Sequence, residues 1–386
     1  MGKFDHLFHE FVPQETNWGD WCHSPQAYFR GDSDIPGANM SCGFQVFKAP
    51  VFLEREPHFH REEEYLVFLG AKLPDVFSSF DAEIEFFMGP TLDEMEKIVI
   101  TKPTIIRIPK CMWHSPLDFK RMTKPVLFQA VAMHGKFGSI KLRQDNNGRN
   151  QYIYTGDEAR PCVFDASKTC DYCGKCFDRD ATLDNREAIE PYWTVKDSPL
   201  SDAIKALICE LPAENTKWGD WCPTPQAYFR GETYLPGANY HVGFQVFTGE
   251  LDMEDSHFHQ GADEYIFFMG ADPMNIFDFD CEITFNIGDD PDHMEQHIIT
   301  KPTVVMLPPT VWHSPFLFRK MKKPVLFQAA FQAGCWGTIV REKNEKGEWI
   351  YTYRGDNVRY CRHRPGEKCT LCGKCFSIKA GDDLAK

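Results

Sequence analysis

Short apolar runs punctuate the chain: GFQVF (43–47), EYLVFLG (64–70), AEIEFFMG (82–89), TIIRIP (104–109) and PVLFQAVAM (125–133). Each is rich in Val, Ile, Phe and Tyr, and turn residues separate one from the next at the spacing expected of short strands. The pattern predicts an all-β sandwich or barrel. The main helical signal is SDAIKALICEL (201–211), where Ser201 or Asp202 is suited to cap an amphipathic turn. The same runs then return. Residues 16–47 read TNWGDWCHSPQAYFRGDSDIPGANMSCGFQVF, and residues 216–247 read TKWGDWCPTPQAYFRGETYLPGANYHVGFQVF. TKP recurs at 101 and 300, WHSP at 113 and 312, and KPVLFQA at 124 and 323. A repeat of this length is a duplicated domain rather than a solenoid unit. A polar stretch at 177–200 serves as linker, and the expected domains are 1–190 and 191–386.

Composition supports two cores. The chain has 386 residues, 42% of them hydrophobic and 14% aromatic. Its formal net charge of −14 argues against nucleic acid and against an anionic membrane surface, both of which call for basic patches. No apolar stretch reaches transmembrane length, and the first residues do not resemble a signal peptide. A cytoplasmic protein acting on a small molecule is the expectation.

The polar residues that interrupt the apolar pattern carry the chemistry. In EPHFHREEEYLVFLG, His58 and His60 stand two apart, so on a strand both imidazoles face one side. Glu64 follows, and IPKCMWHSP supplies His114. The second copy repeats the order with His257, His259, Glu264 and His313. Three imidazoles and one carboxylate suit Mn, Fe, Zn or a similar divalent ion and leave coordination positions open. On these residues, together with Gly70, Pro109, Gly270 and Pro308, the chain resembles the cupin superfamily. It departs from the family motif where Cys111 and Thr310 replace the glycine after the second-motif proline. The resemblance implies two tandem jelly-roll barrels, each with a metal inside its wider end, and a possible homodimer. Oxalate-decarboxylating bicupins are similar in having two occupied sites.

Cys162, Cys170, Cys173 and Cys176 form C-x7-C-x2-C-x2-C, and Cys361, Cys369, Cys372 and Cys375 repeat it. Four thiolates at that spacing hold a structural zinc ion, or a 4Fe-4S cluster as the alternative. Either would staple a small lobe at the end of each domain.

Other repeated residues have two readings. Trp18, Trp21, Trp218 and Trp221 would cap the barrel ends, with Asp20 and Asp220 pairing Arg30 and Arg230. Alternatively Arg30 and Arg230 grip an anionic or carbonyl oxygen of a substrate, acting beside the catalytic carboxylates Glu64 and Glu264. Gln45, Gln129, Gln245 and Gln328 sit inside apolar strands and need partners, which a substrate could supply. Arg107, His23 and His134 face Met306, Pro223 and Ala333 in the second copy, so the first pocket is expected to be the more polar.

Three functions fit. The first is hydrolytic or lyase cleavage of a C–C bond in a small enolisable 1,3-dicarbonyl or phenol-derived cyclic diketone of the dihydrophloroglucinol kind. The second is an Fe(II) dioxygenase, and the third a non-enzymatic small-molecule binder.

Overall fold

The computed structural model describes residues 2–368 other than 16–18, 145–149, 157–160, 163–164, 170–192, 197, 216–219, 260, 356–359 and 362–363. Six of the eight clustered cysteines, the side chains of Cys162 and Cys361, Trp18, Trp218 and most of the 177–200 linker lie outside this description. So do the expected metal lobes.

The alternation of apolar runs and turns folds as predicted into antiparallel sheets. One compact unit comprises residues 14–71 and 76–210. Its larger sheet runs Ile208–Glu210, Thr104–Ile108, Glu64–Gly70, Val126–Ala132, Ser41–Phe47, Ala27–Phe29. The smaller runs Val51–Leu53, Trp113–Met122, Ala82–Gly89, Glu96–Ile100. The other unit comprises residues 1–13, 72–75 and 211–386. Its first sheet runs Phe8–Glu10, Thr303–Leu307, Glu264–Gly270, Val325–Phe331, His241–Phe247, Gln226–Phe229, Ala213–Glu214. Its second is built around Glu282–Gly288 and Trp312–Arg319.

In each unit an outer strand pairs with a strand distant in sequence. Phe8–Glu10 pairs with Thr303–Leu307, and Ile208–Glu210 pairs with Thr104–Ile108. This shortens the predicted helix at 201–211. Ser201 does cap it, accepting from the Ile204 amide at 3.3 Å, but the helix is a single turn, Asp202–Lys205. Ile208 and Cys209 follow into the sheet, where pairing replaces the helical bonds.

Phenylalanines fill the space between the sheets. In the first barrel Phe47 meets Phe119 edge-on at 4.6 Å and stacks with Phe128 at 5.4 Å. In the second, Phe247 meets Phe318 edge-on at 5.2 Å and packs against a tilted Phe327 at 5.3 Å. Phe47, Phe119, Phe247 and Phe318 are fully buried, each contributing about 1.5–3 kcal/mol through apolar burial. Trp21 and Trp221 pack on Phe47 and Phe247, with ring centroids 5.5 and 5.3 Å apart. Asp20 and Asp220 are exposed and form no ion pair with the arginines among the described residues, which corrects that pairing.

Two positions explain departures and repeats in the sequence. Gly31 and Gly231 adopt φ of +53° and +47°, and a Cβ there would lie 2.5 and 2.3 Å from the carbonyl oxygens of Gly135 and Gly334. Only glycine fits, hence the repeated FRG. Cys111 and Thr310 also have positive φ, 62° and 76°, at the positions where the cupin motif carries glycine. Their amides donate to the His60 and His259 carbonyls at 2.7 and 2.9 Å, so the turn that needs this backbone also ties the two metal motifs together. A β-branched residue in the left-handed region costs roughly 1–2 kcal/mol, partly offset by the unfolded-state entropy that glycine would add. Thr310→Gly is therefore expected to stabilise the chain by about 0.5–1 kcal/mol, raising Tm by a few degrees in calorimetry. A lower Tm would show that the threonine side chain carries a stabilising contact.

Candidate metal centres

The three histidines of each barrel are brought together by strand pairing. The amides and carbonyls of His58 and His114 exchange hydrogen bonds of 3.0 and 2.9 Å, placing their rings 4.3 Å apart. His257 and His313 stand in the same register, with rings also 4.3 Å apart. Alternation then puts His60 beside His58, and His259 beside His257, with ring centroids at 5.0 and 5.1 Å. The residue between points the other way: Phe59 packs on Trp113 and Phe258 on Trp312. Ligand atoms of His58, His60 and His114 lie within 4.8 Å of one another, as do those of His257, His259 and His313.

Glu64 and Glu264 open the neighbouring strands and complete each set. Glu64 Oε2 lies 3.2 Å from His60 Nε2 and 3.5 Å from His114 Nε2. Glu264 Oε2 lies 3.0 and 3.3 Å from His259 and His313 Nε2. All eight side chains are buried.

The tautomers are fixed by the backbone. Nδ1 of His58, His60 and His114 faces the carbonyl oxygens of Glu56, Gly138 and Met112 at 3.3, 2.8 and 3.0 Å. Nδ1 of His257, His259 and His313 faces those of Asp255, Gly337 and Val311 at 2.7, 2.9 and 3.1 Å. A carbonyl only accepts, so each Nδ1 carries the proton and each Nε2 presents a lone pair. Nε2 of His60, His114, His259 and His313, and Glu264 Oε2, are buried without a hydrogen-bond partner. Four or five electron-pair donors facing one point in a buried site are mutually repulsive unless a cation lies between them. The donor set therefore fits a divalent metal, with the Nδ1 bonds orienting the ligands.

Protonation is consistent with this at most of the ligands; His60 is the exception, where burial is outweighed by the Glu64 carboxylate, which raises the imidazole above its ordinary value. Burial, reinforced by the His60 ring, pushes His58 down to about 3, and burial likewise holds His114 and His257 well below the ordinary imidazole value. Burial opposes ionisation of Glu264, but His259 and His313 outweigh it and hold the carboxyl far below the usual carboxylate range. Neutral imidazoles and an ionised carboxylate are the forms that ligate.

Each set borders a cavity, about 340 Å³ in the first barrel and about 290 Å³ in the second. Of the other expected site residues, Arg30 and Gln45 line the first, and Arg230 and Gln245 the second. Gln45 donates to the Tyr28 hydroxyl at 3.0 Å, whereas Gln245 Nε2 is buried without a partner. Three expectations are corrected. Gln129 and Gln328 are wholly buried, but it is Phe128 and Ala130, and Phe327 and Ala329, that reach the cavities; strand alternation turns the glutamines to the opposite face. Arg107 also faces away, donating from Nε and Nη2 to Glu63 at 2.9 and 2.7 Å. The expected polarity is reversed as well. With Arg107 turned aside, Ser41, Leu53 and Phe137 of the first cavity stand where the second has His241, Met253 and Trp336.

Sequence reading missed Glu54 and Glu254. Both line their cavities, from positive-φ positions (43° and 62°) just after a strand. Glu254 Oε2 lies 3.6 Å from His257 Nε2. Burial, with the charges of Glu264 and Asp255, pushes its carboxyl up to about 8. Glu54 is exposed and accepts from Ser115 Oγ at 2.9 Å. The signal available was a Glu repeated at offset 200, but it lies outside any recognisable motif.

No family model matches the chain, and no curated protein matches it. Solved structures do. A variant of Bacillus subtilis oxalate decarboxylase aligns at 10% identity with a TM-score of 0.53, covering 88% of this chain and 80% of that one. A structure of the same enzyme described for its Mn(II) centres gives the same values. Another, at pH 4.6, aligns at 10% identity with a TM-score of 0.51, covering 86% and 78%. At this identity the likeness is one of fold. Among the described residues no helix is long and apolar enough to cross a membrane.

His114→Ala and His313→Ala are each expected to lower the divalent metal bound per chain by one equivalent, and the double variant by two, in elemental analysis after dialysis. Unchanged metal content in the double variant would contradict both centres.

Proposed function

We propose that this chain, which has the bicupin fold, is a metal-dependent enzyme that cleaves a C–C bond in a small enolisable dicarbonyl such as a cyclic 1,3-diketone, and that the second barrel carries the reaction. The observation that carries this reading lies in one cavity. There a donor set of three histidines and one glutamate is joined by a carboxylate outside the set, Glu254, and an unsatisfied amide, Gln245. The fold shared with oxalate decarboxylases, whose name denotes C–C cleavage, supports the same class of chemistry. Aromatic walls from Tyr228, Phe327, Phe331 and Trp336 suit a flat organic substrate.

His257, His259, His313 and Glu264 would hold the ion. When bound, a divalent metal polarises a carbonyl and stabilises the enolate that C–C cleavage leaves behind. The protein's own part is positioning and proton transfer. Gln245 can donate to a substrate carbonyl oxygen, fixing the ring against the aromatic wall. Glu254 is placed to take a proton from a water molecule as its oxygen bonds to the carbonyl carbon. The bond from that carbon to the central carbon then breaks, its electron pair moving onto the central carbon and the remaining carbonyl. Glu254 returns the proton to that carbon, and the product is an oxo-carboxylic acid. No oxidant enters the balance.

Cyclohexane-1,3-dione incubated without oxygen with the metal-loaded protein is expected to yield 5-oxohexanoate, followed by NMR. A requirement for O₂, with its consumption, would overturn the hydrolytic reading in favour of a dioxygenase. Glu254→Gln is expected to lower kcat by roughly 10²-fold or more while leaving metal content unchanged, as removal of a general base does. Wild-type kcat in that variant would remove Glu254 from the mechanism.

A further inference from the structure

The two cavities differ in the residue that meets the arginine at the mouth. Glu214 pairs with Gln226 at the edge of the second barrel, and Gln14 pairs with Gln26 in the equivalent place in the first. The arginines they meet are equivalent too, with guanidinium groups 5.1 and 5.5 Å from the ring centroids of Tyr228 and Tyr28. Arg230 donates from Nε to both Glu214 oxygens at 2.9 and 3.2 Å and forms an ion pair through Nη2. Tyr234 adds a hydroxyl bond to the same carboxylate at 2.6 Å. That guanidinium is neutralised and its fork is taken.

Arg30 is in a different state. Its Nη2 donates to the neutral Gln14 side-chain oxygen. Its own backbone amide, not its guanidinium, meets Asp34, at 2.6 Å. The other nearby acids are engaged elsewhere: Glu15 with the Ser24 hydroxyl, and Asp32 with Lys136. Among the described residues no carboxylate lies within ion-pair distance of the Arg30 guanidinium. Of its five N–H donors, one is used by Gln14, so an unpaired cation with free donors faces the cavity.

The charges lining the cavities follow. The first has Arg30 against Glu54 and Glu64, and the second has Arg230 against Glu214, Glu254 and Glu264. The second guanidinium is thus matched by Glu214, whereas the first has only the neutral Gln14 in that place. Beneath Arg30 the wall is apolar: Leu53, Leu66, Leu117 and Phe128. Ala132 stands where the second barrel has Phe331, and the first cavity is the larger.

We propose that the first barrel is a binding site for an organic monocarboxylate with an apolar body, its carboxylate held by Arg30. Guanidinium is the group best matched to a carboxylate, through two parallel N–H bonds. The second barrel, with its guanidinium occupied by Glu214, offers a carboxylate no such fork. If the proposed function holds, the class of ligand in the first barrel is that of the product made in the second; the binding site itself does not depend on that reaction.

Hexanoate titrated calorimetrically into the metal-loaded full-length protein tests this, with hexanamide as the uncharged control. One equivalent of hexanoate per chain is expected, and no binding of hexanamide. Gln14→Glu, which recreates the Glu214 pairing, is expected to weaken hexanoate at least tenfold with metal content and Tm unchanged. The mirror variant Glu214→Gln, which frees Arg230, is expected to create a second equivalent. Unchanged affinity in Gln14→Glu would overturn the proposal, because it would place the anion on the metal rather than on Arg30. Equal binding of hexanamide would overturn it as well. The titration reads no turnover, so its failure leaves the proposed reaction standing, and failure of the reaction leaves the anion site standing.

Discussion

Six backbone carbonyls fix the chemistry of this protein. Each accepts the Nδ1 proton of one histidine, which turns the six Nε2 lone pairs inward in two groups of three. These groups are buried from water, and burial opposes protonation of His58, His114, His257 and His259, so a cation is the partner that satisfies each set. The surrounding fold serves this constraint. Pairing of His58 with His114, and of His257 with His313, sets the ring spacing. The strained turns at Cys111 and Thr310 lock the second motif to the first. The intervening Phe59 and Phe258 anchor the strand from behind.

Duplication has preserved that frame and let the cavities diverge. The donor sets correspond residue for residue, as do the tyrosine–arginine pairs at the mouth. What differs is what stands around them: Glu254 turned toward His257 while Glu54 is held by Ser115, Gln245 unpartnered while Gln45 is tied to Tyr28, and Glu214 in place of Gln14. In the proposed reading, these differences separate a cavity that transfers a proton from one that holds an anion, on one scaffold with the same donor sets.

Much of this was legible in the sequence because two signals are local and periodic. Apolar runs with turn spacing gave the all-β class, and the His-x-His, Glu, His order, stated twice, gave the donor sets. The remainder depends on which face a residue occupies. Gln129 and Arg107 looked functional because a polar group inside an apolar strand needs a partner; alternation turns both away from the cavity, and Arg107 finds Glu63. Glu254 was missed for the opposite reason, since a left-handed backbone at a strand end brings it inward where no periodicity would place it. The outer strands Phe8–Glu10 and Ile208–Glu210 are three residues long, and the second follows a capped helical turn whose pattern dominates its neighbourhood.

The most direct test of the account is an anomalous-scattering map from crystals grown with Mn(II), recorded at the manganese edge. Two peaks are predicted per chain in the described barrels, each about 2.0–2.3 Å from three histidine Nε2 atoms and one glutamate oxygen. Empty donor sets, with the Nε2 atoms instead hydrogen-bonded to water or to Glu64 and Glu264, would contradict the claim that these side chains are built around a metal.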